Sequence, residues 1–326
     1  MERMKKALVC GAGGFIGGHM VKRLKAEGYW VRGVDIKEHD FSALPSDDFV
    51  IGDLTDSRVV AEVVDHGMDE IYQFAADMGG AGYIFTGEHD AAVMHNSALC
   101  NLNVVHEAVK KHVGKVFYSS SACIYPETIQ TDPDNPGLKE EFAYPAQPDS
   151  DYGWEKLFSE RLYMAYARNH GLEVHMARFH NIFGPEGTWT GGKEKAPAAM
   201  CRKVAEIPDG GEIEMWGDGQ QTRSFLYIDE CLEGVRRLME SDCMEPINIG
   251  SDEMISINGL AEMAANIAGK KISIHHIPGP TGVRGRNSEN SMIREKLDWS
   301  PSQPLRDGMQ KTYEWIEKQV SASRKR

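Results

Sequence analysis

Short, almost wholly apolar runs alternate with amphipathic stretches through the first half of this 326-residue chain. Ala7-Leu8-Val9-Cys10 reads as a strand, followed by a glycine turn and then a helix reaching about Glu27. Residues 31–35 and 49–52 read as the next two strands, and residues 71–75, 115–119 and 174–179 continue the series. Strands that are apolar on both faces and separated by helices belong to a parallel sheet whose two faces are covered. The pattern predicts an α/β fold with a doubly wound parallel sheet of the Rossmann kind.

Beyond about residue 180 the texture changes. Residues 185–196 are rich in Gly, Pro and Lys, and residues 277–288 carry Pro, Gly and two arginines. These read as loops and short helices of a smaller C-terminal substrate-binding lobe. Residues 223–238 and Ile247-Asn248-Ile249 are candidates to return to the main sheet. The expected division is therefore interleaved. Residues 1–180, with a returning segment at about 212–250, form the dinucleotide-binding domain, and residues 181–211 and 251–326 form the lobe.

Gly11, Gly14 and Gly17 form GxxGxxG directly after the first strand and at the mouth of the first helix. The first glycine permits a tight turn. The second lets backbone approach a pyrophosphate at the helix N-terminus, and the third allows close helix–strand packing. Three glycines alone make only a turn; the preceding strand and following helix make them a dinucleotide site, with Phe15 and Ile16 among its contacts. Asp35 closes the second strand, 18 residues after Gly17. A carboxylate there accepts from the adenosine ribose 2′-OH and repels a 2′-phosphate, which favours NAD over NADP. Lys37 nearby pulls the other way. Asp53, after the third strand, has two readings, an adenine contact or a helix cap.

Tyr152 and Lys156 form YxxxK, a spacing that puts both on one helix face. A tyrosine of ordinary pKa, about 10, is a poor base at neutral pH. A lysine ammonium and a nicotinium charge stabilise its phenolate, and Lys156 can also hold the nicotinamide ribose. YxxxK gains meaning from the Ser119-Ser120-Ser121 run at a strand end, where ligands gather in such sheets. Ser121 is the candidate to hydrogen-bond a substrate hydroxyl undergoing oxidation; its plainer reading is a turn residue.

Composition adds exclusions. Net charge is -13, with 41% hydrophobic and 26% charged residues, which argues against a nucleic-acid partner. Six scattered cysteines without a CxxC pair read as free thiols. No run approaches the roughly 18 apolar residues of a membrane span. The start lacks a signal peptide's pattern, and the expected location is the cytoplasm. The polar end, residues 321–326, is expected to fray. His275-His276 invites a metal reading, but neighbours in an extended segment point to opposite faces and no second ligand cluster accompanies them. No metal is expected.

The glycine turn, the serine run and YxxxK together resemble the extended short-chain dehydrogenase/reductase superfamily across essentially the whole chain. The resemblance implies a homodimer built on two helices per subunit, here at about residues 91–111 and 153–169. Longer strings are more specific: Ala75-Ala76-Asp77-Met78-Gly79-Gly80, Ser120-Ser121-Ala122-Cys123-Ile124-Tyr125-Pro126, Gly191-Gly192-Lys193-Glu194-Lys195-Ala196-Pro197, Gln221-Thr222-Arg223-Ser224-Phe225 and Gly282-Val283-Arg284-Gly285-Arg286. This set resembles the GDP-mannose 3,5-epimerase family. It implies transient oxidation of the hexose C4, inversion at C5 and C3, and re-reduction to GDP-L-galactose and GDP-L-gulose.

A C4 ketone acidifies the protons on C3 and C5, and each inversion then needs a base on one face and an acid on the other. The resemblance assigns these roles to Cys123 and Lys195, with Lys193 the competing lysine. A thiol of pKa about 8.5 suits proton transfer near neutrality. For the diphosphate the candidates are Asn181, Lys203, Arg223, Arg284 and Arg286, with Arg284 preferred by resemblance. Arg223 has the alternative of supporting the fold near Asp229. Gly80, Ala122, Glu194, Ala196, Gln221 and Thr222 are the other implied substrate contacts. The rivals are a 4-epimerase, which has no need of Cys123 and Lys195 as acid and base, and a 4,6-dehydratase, in which Thr-Asp-Glu is expected in place of Ser121-Ala122-Cys123. A non-catalytic NAD-sensing protein often loses the tyrosine or lysine that this chain keeps.

Overall fold

The computed structural model describes residues 3–134 and 137–324. The first half runs β1 (Lys6–Cys10), α1 (Phe15–Ala26), β2 (Trp30–Asp35), β3 (Asp48–Ile51), α2 (Ser57–Val63), β4 (Glu70–Gln73), α3 (Ala81–Ile84), α4 (Asp90–Lys110), β5 (Lys115–Ser121), α5 (Asp151–His170) and β6 (Glu173–Phe179). The second half runs β7 (Ile182–Phe183), α6 (Ala196–Glu206), β8 (Gly211–Trp216), β9 (Thr222–Ser224), β10 (Leu226–Tyr227), α7 (Ile228–Glu240) and β11 (Ile247–Ile249). It ends with β12 (Met254–Ser256), α8 (Ile257–Ala268), β13 (Ile272–Ile277), β14 (Gly285–Arg286), α9 (Ser291–Leu297) and α10 (Leu305–Ser323). The last helix continues into the segment expected to fray, and residues 325–326 of that segment lie outside the described residues.

Seven strands form one parallel sheet in the order β11-β6-β5-β4-β1-β2-β3. The two-residue periodicity of a strand separates its side chains into two cores. Ala7 and Val9 of β1 join Tyr72, Phe117 and Ala177 on one face, where α1 and α7 pack. Leu8 and Cys10 join Ile71, Val116, Val174 and Met176 on the other face, beneath α2, α4 and α5. The first of these cores runs on into the C-terminal part through Met200, Val204, Leu260, Ala264, Met309 and Ile316. Sheet and lobe therefore share one apolar interior. Ile247–Ile249 does return to the sheet, pairing parallel with Ala177–Phe179 of β6.

Where β1 and β4 lie side by side, the helices that follow them leave toward opposite faces. That reversal opens a crevice outside the carboxyl ends of the strands, where ligands bind in such sheets. The strand expected at 71–75 stops at Gln73, whose Oε1 accepts from Ala75 N at 3.3 Å and turns the chain across the crevice. The strand expected at 115–119 runs to Ser121, carrying two more serines into the ladder opposite Arg178 and Phe179.

Candidate active site

The dinucleotide half of the crevice is built on α1. Gly17 lies against the turn: a Cβ there would stand 2.0 Å from Gly11 O, so only glycine lets the helix seat on β1. No side chain caps α1 and its first turn holds no acidic residue, so its leading N–H groups are left for an anion. Gly13, Gly14 and Phe15 line a small pocket there with Lys37, His39, Phe41, Glu186 and Thr188. Asp35 Oδ2 accepts from Gly13 N at 3.0 Å and Oδ1 from Lys37 N at 3.3 Å. Burial raises the Asp35 pKa against these backbone donors and the Lys37 charge. The Lys37 ammonium itself is paired with Asp40, which removes its pull toward a 2′-phosphate. A bare helix N-terminus and a ribose-facing carboxylate fit NAD. Asp53 is not the cap of α2; that role falls to Asp56, which accepts from Arg58 N, while Asp53 Oδ1 accepts from Thr55 N at 2.9 Å.

The redox half stands on β5 and the first turn of α5. Ser150 caps α5 by accepting from Gly153 N at 3.2 Å, which places Tyr152 and Lys156 one turn apart and facing inward. Tyr152, Lys156 and Ser121 are all buried. Lys156 Nζ donates to Ser119 O at 2.8 Å and lies 5.6 Å from the centre of the Tyr152 ring. Burial pushes the Tyr152 phenol far up, with Cys123 and Glu155 adding to the rise and a hydrogen bond with Ser121 opposing it. Burial likewise lowers the Lys156 pKa, against Glu155 and the nearby thiols. The expected depression of the phenol by Lys156 is outweighed here by burial.

Cys123 completes this corner. It follows Ser121 in a single 3₁₀ turn, its N–H donates to Ser121 Oγ at 3.2 Å, and its side chain packs with Val93 and Tyr152. Its thiol pKa is raised by burial and Asp149 and held back by Arg286 and Ser121. Residue 195, near enough to Cys123 to interact with it electrostatically, is the N-cap position of α6. Burial lowers the Lys195 ammonium pKa, partly offset by Cys123 and Cys231. Its rival is engaged elsewhere: Lys193 Nζ sits 3.8 Å from the centre of the Tyr83 ring. Gly80 keeps this loop close, donating from N to Lys193 O at 3.0 Å; a Cβ on Gly80 would lie 2.5 Å from Glu194 O. Glu194 is held by Arg202 and Gly192 N, and Ala196 opens α6.

The phosphate candidates divide. Arg223 bonds to Thr222 O at 2.7 Å and Thr281 O at 3.2 Å rather than to Asp229. Burial and the neighbouring Arg286 lower its pKa. A guanidinium keeps its proton, so that unfavourable setting is a demand for an anion. Gln221 beside it has a buried Oε1 without a hydrogen-bond partner among the described residues. Thr222 Oγ1 donates to Pro133 O. Asn181 holds a left-handed backbone, φ 48°, and donates to Ser224 O at 2.9 Å. Arg284, by contrast, lies at the surface, paired with Asp218 at 2.9 Å, and Lys203 donates to Glu214 O at 2.5 Å. Arg286 is not a free phosphate ligand: its guanidinium contacts Cys123 Sγ, Gln130 and Asp149. Asp149 and Gln130 were missed by the sequence reading, because their roles arise only from contacts across more than a hundred residues.

A Rossmann crevice with a bare helix N-terminus, ending at a buried Ser–Tyr–Lys set, defines a nicotinamide-dependent enzyme. The chain belongs to the NAD dependent epimerase/dehydratase family, whose pattern matches residues 7–250. Within it, the chain is 49% identical over 317 residues to a GDP-mannose 3,5-epimerase of Arabidopsis thaliana, covering 97% of this chain and 83% of that one. It is 48% identical over 316 residues to GDP-mannose 3,5-epimerase 1 of Oryza sativa subsp. japonica, covering 96% of this chain and 82% of that one. In fold it matches the UDP-glucose 4-epimerase of Thermotoga maritima with a TM-score of 0.84 at 23% identity, covering 97% of this chain and 99% of that one.

Proposed function

We propose that this chain is a GDP-mannose 3,5-epimerase that uses Ser121, Tyr152 and Lys156 for C4 redox chemistry and Cys123 and Lys195 for proton transfer. The observation that carries the reading is the convergence on one buried corner of a thiol beside the tyrosine and an ammonium from the other lobe. NAD would be held by the α1 N-terminus, Asp35 and Lys156, and would supply the acceptance and return of hydride at C4. Ser121 Oγ and the Tyr152 phenol hold the C4 hydroxyl, and Tyr152 takes its proton. Lys156, fixed through Ser119 O, holds the ribose and keeps the phenol in place. With C4 a ketone, Cys123 Sγ as thiolate removes the proton from an adjacent carbon, and Lys195 Nζ–H delivers one to the opposite face. Arg223, whose hydrogen bonds among the described residues go to the carbonyls of Thr222 and Thr281, takes the diphosphate.

The identity of about 49% over nearly the whole chain supports this substrate over other members of the family. Product analysis tests it: GDP-mannose yields isomers inverted at C5 and at C3, without net cofactor reduction. A product inverted only at C4 contradicts the proposal and favours the 4-epimerase reading. The same proposal includes a homodimer through α4 and α5, supported by Met94 and Leu102 on α4 and Trp154 and Phe158 on α5, all exposed on the single chain.

A further inference from the structure

Arg286 makes three directed contacts. Its Nε donates to Gln130 Oε1 at 2.7 Å, its Nη2 to Asp149 Oδ2, and its Nη1 to Cys123 Sγ at 3.3 Å. All these groups are buried. Asp149 is anchored in turn, accepting from Ser150 Oγ at 2.8 Å and donating from its N–H to Cys123 O at 3.2 Å. Gln130 is held by Tyr125 O and Pro126 O, each at 3.1 Å. The guanidinium therefore has one orientation, and that orientation spends a donor on sulfur. A neutral thiol is a weak acceptor, whereas a thiolate is a charged one that an arginine donor favours strongly.

We propose that Arg286, oriented by Asp149 and Gln130, is the positioning residue that stabilises the Cys123 thiolate and aims it at the sugar carbon next to C4. The proposal rests on the epimerase reading above. In the step it serves, the thiolate takes H⁺ from carbon to form S–H, and the C–H electron pair passes into the enolate of the C4 ketone. An Nζ–H of Lys195 then supplies H⁺ to the other face and leaves a neutral amine; thiol and amine regain their starting charges by proton exchange with water. The charged and titratable groups around Cys123 are Asp149, Arg286, Tyr152, Lys156, Lys195 and Arg223. Of these, Arg286 is the cation that hydrogen-bonds Sγ among the described residues, with Ser121 a second, uncharged partner of the thiol.

The test titrates the thiolate ultraviolet absorbance of the NAD-containing protein, taken as a difference from its Cys123→Ala form. In Arg286→Gln the midpoint moves up by about one to three pH units, the range for loss of an adjacent opposite charge, or no thiolate appears before unfolding. Asp149→Asn moves it down, because a like charge is removed while Gln130 still holds Arg286. Arg286→Lys, which keeps the charge, lies between native and Gln and preserves a measurement where Gln fails to fold. An unchanged midpoint in Arg286→Gln or, where that variant fails to fold, in Asp149→Asn overturns the proposal, as does a native protein with no Cys123 thiolate below its unfolding pH. A second readout separates this from the epimerase reading. Arg286→Gln loses solvent-deuterium uptake into GDP-mannose about tenfold or more while the C4 oxidation half-reaction persists. If the native protein itself takes up no deuterium, the epimerase reading fails whatever the titration shows.

Discussion

In the proposed mechanism Cys123 is the residue on which carbon inversion turns, and two substitutions separate its role from that of the redox set. Replacing Cys123 with Ser substitutes an alcohol far too weakly acidic for the thiol. Carbon inversion is expected to fall about 10²–10⁴-fold, with C4 oxidation retained, as read by deuterium uptake against single-turnover cofactor reduction. Tyr152→Phe should abolish both, because Tyr152 is the group proposed to take the C4 proton. Equal loss of both signals in the Cys123 variant would contradict the division of labour. The Tyr152–Lys156 spacing was legible in the sequence because four residues on a helix fix a shared face. Arg286 was legible only as a cation, since its partner Cys123 is 163 residues away. Arg284 and Lys203 carry the charge a diphosphate requires, but sequence does not reveal where a long side chain points, and here they point to Asp218 and Glu214 O.

The elements that hold the site are themselves tied by a buried ion pair. Arg178 of β6 makes two bonds to Glu160 of α5, at 3.0 and 2.9 Å, and Glu160 also accepts from Ser120 Oγ of β5. This clamp fixes the strand end that carries Ser121 against the helix that carries Tyr152. Glu160→Ala leaves a buried guanidinium uncompensated and should cost about 3–5 kcal/mol in denaturant unfolding; a loss under about 1 kcal/mol would show the clamp to be dispensable. A second tie titrates. His180, after β6, is buried and neutral, its pKa pushed down to about 3 chiefly by burial, against a hydrogen bond to Asn248. A histidine depressed in the folded state contributes stability above its unfolded pKa near 6.5 and loses it as pH falls toward 3. Between pH 6.5 and 5 that amounts to roughly 2 kcal/mol. His180→Gln should flatten this part of the pH–stability curve, and an unaltered slope would rule the residue out. Six strands of the main sheet were visible as apolar runs in the sequence and β11 as a candidate to return to it, whereas the six-residue lobe strands β8 and β13 were not read as strands. The two- and three-residue strands of the lobe, such as β9 and β14, were not either, because so few residues carry no periodicity and their pairing depends on distant loops.

At the scale of the molecule, one apolar interior links the sheet to the lobe, so Lys195, the N-cap of α6, is held near Cys123 rather than on a free arm. Of the segment expected to return at about 212–250, β11 joins the main sheet, while β8 pairs with β13 outside it, and the shared core spans both parts. The exposed apolar residues of α4 and α5 belong to this scale too. Trp154→Asp combined with Phe158→Asp should convert a dimer to a monomer in analytical ultracentrifugation; a native protein already monomeric at micromolar concentration would contradict the proposed homodimer. No helix among the described residues is long and apolar enough to cross a membrane.

The measurement that bears most directly on the whole account is incubation with GDP-mannose in D₂O, followed by NMR of the recovered sugars. Deuterium at C3 and C5, new isomers inverted at those carbons, no net cofactor reduction, and loss of the label in Cys123→Ala are the predicted results. Unlabelled GDP-mannose alongside conversion of a UDP- or dTDP-sugar would contradict the epimerase assignment while leaving the Rossmann fold and its redox centre in place.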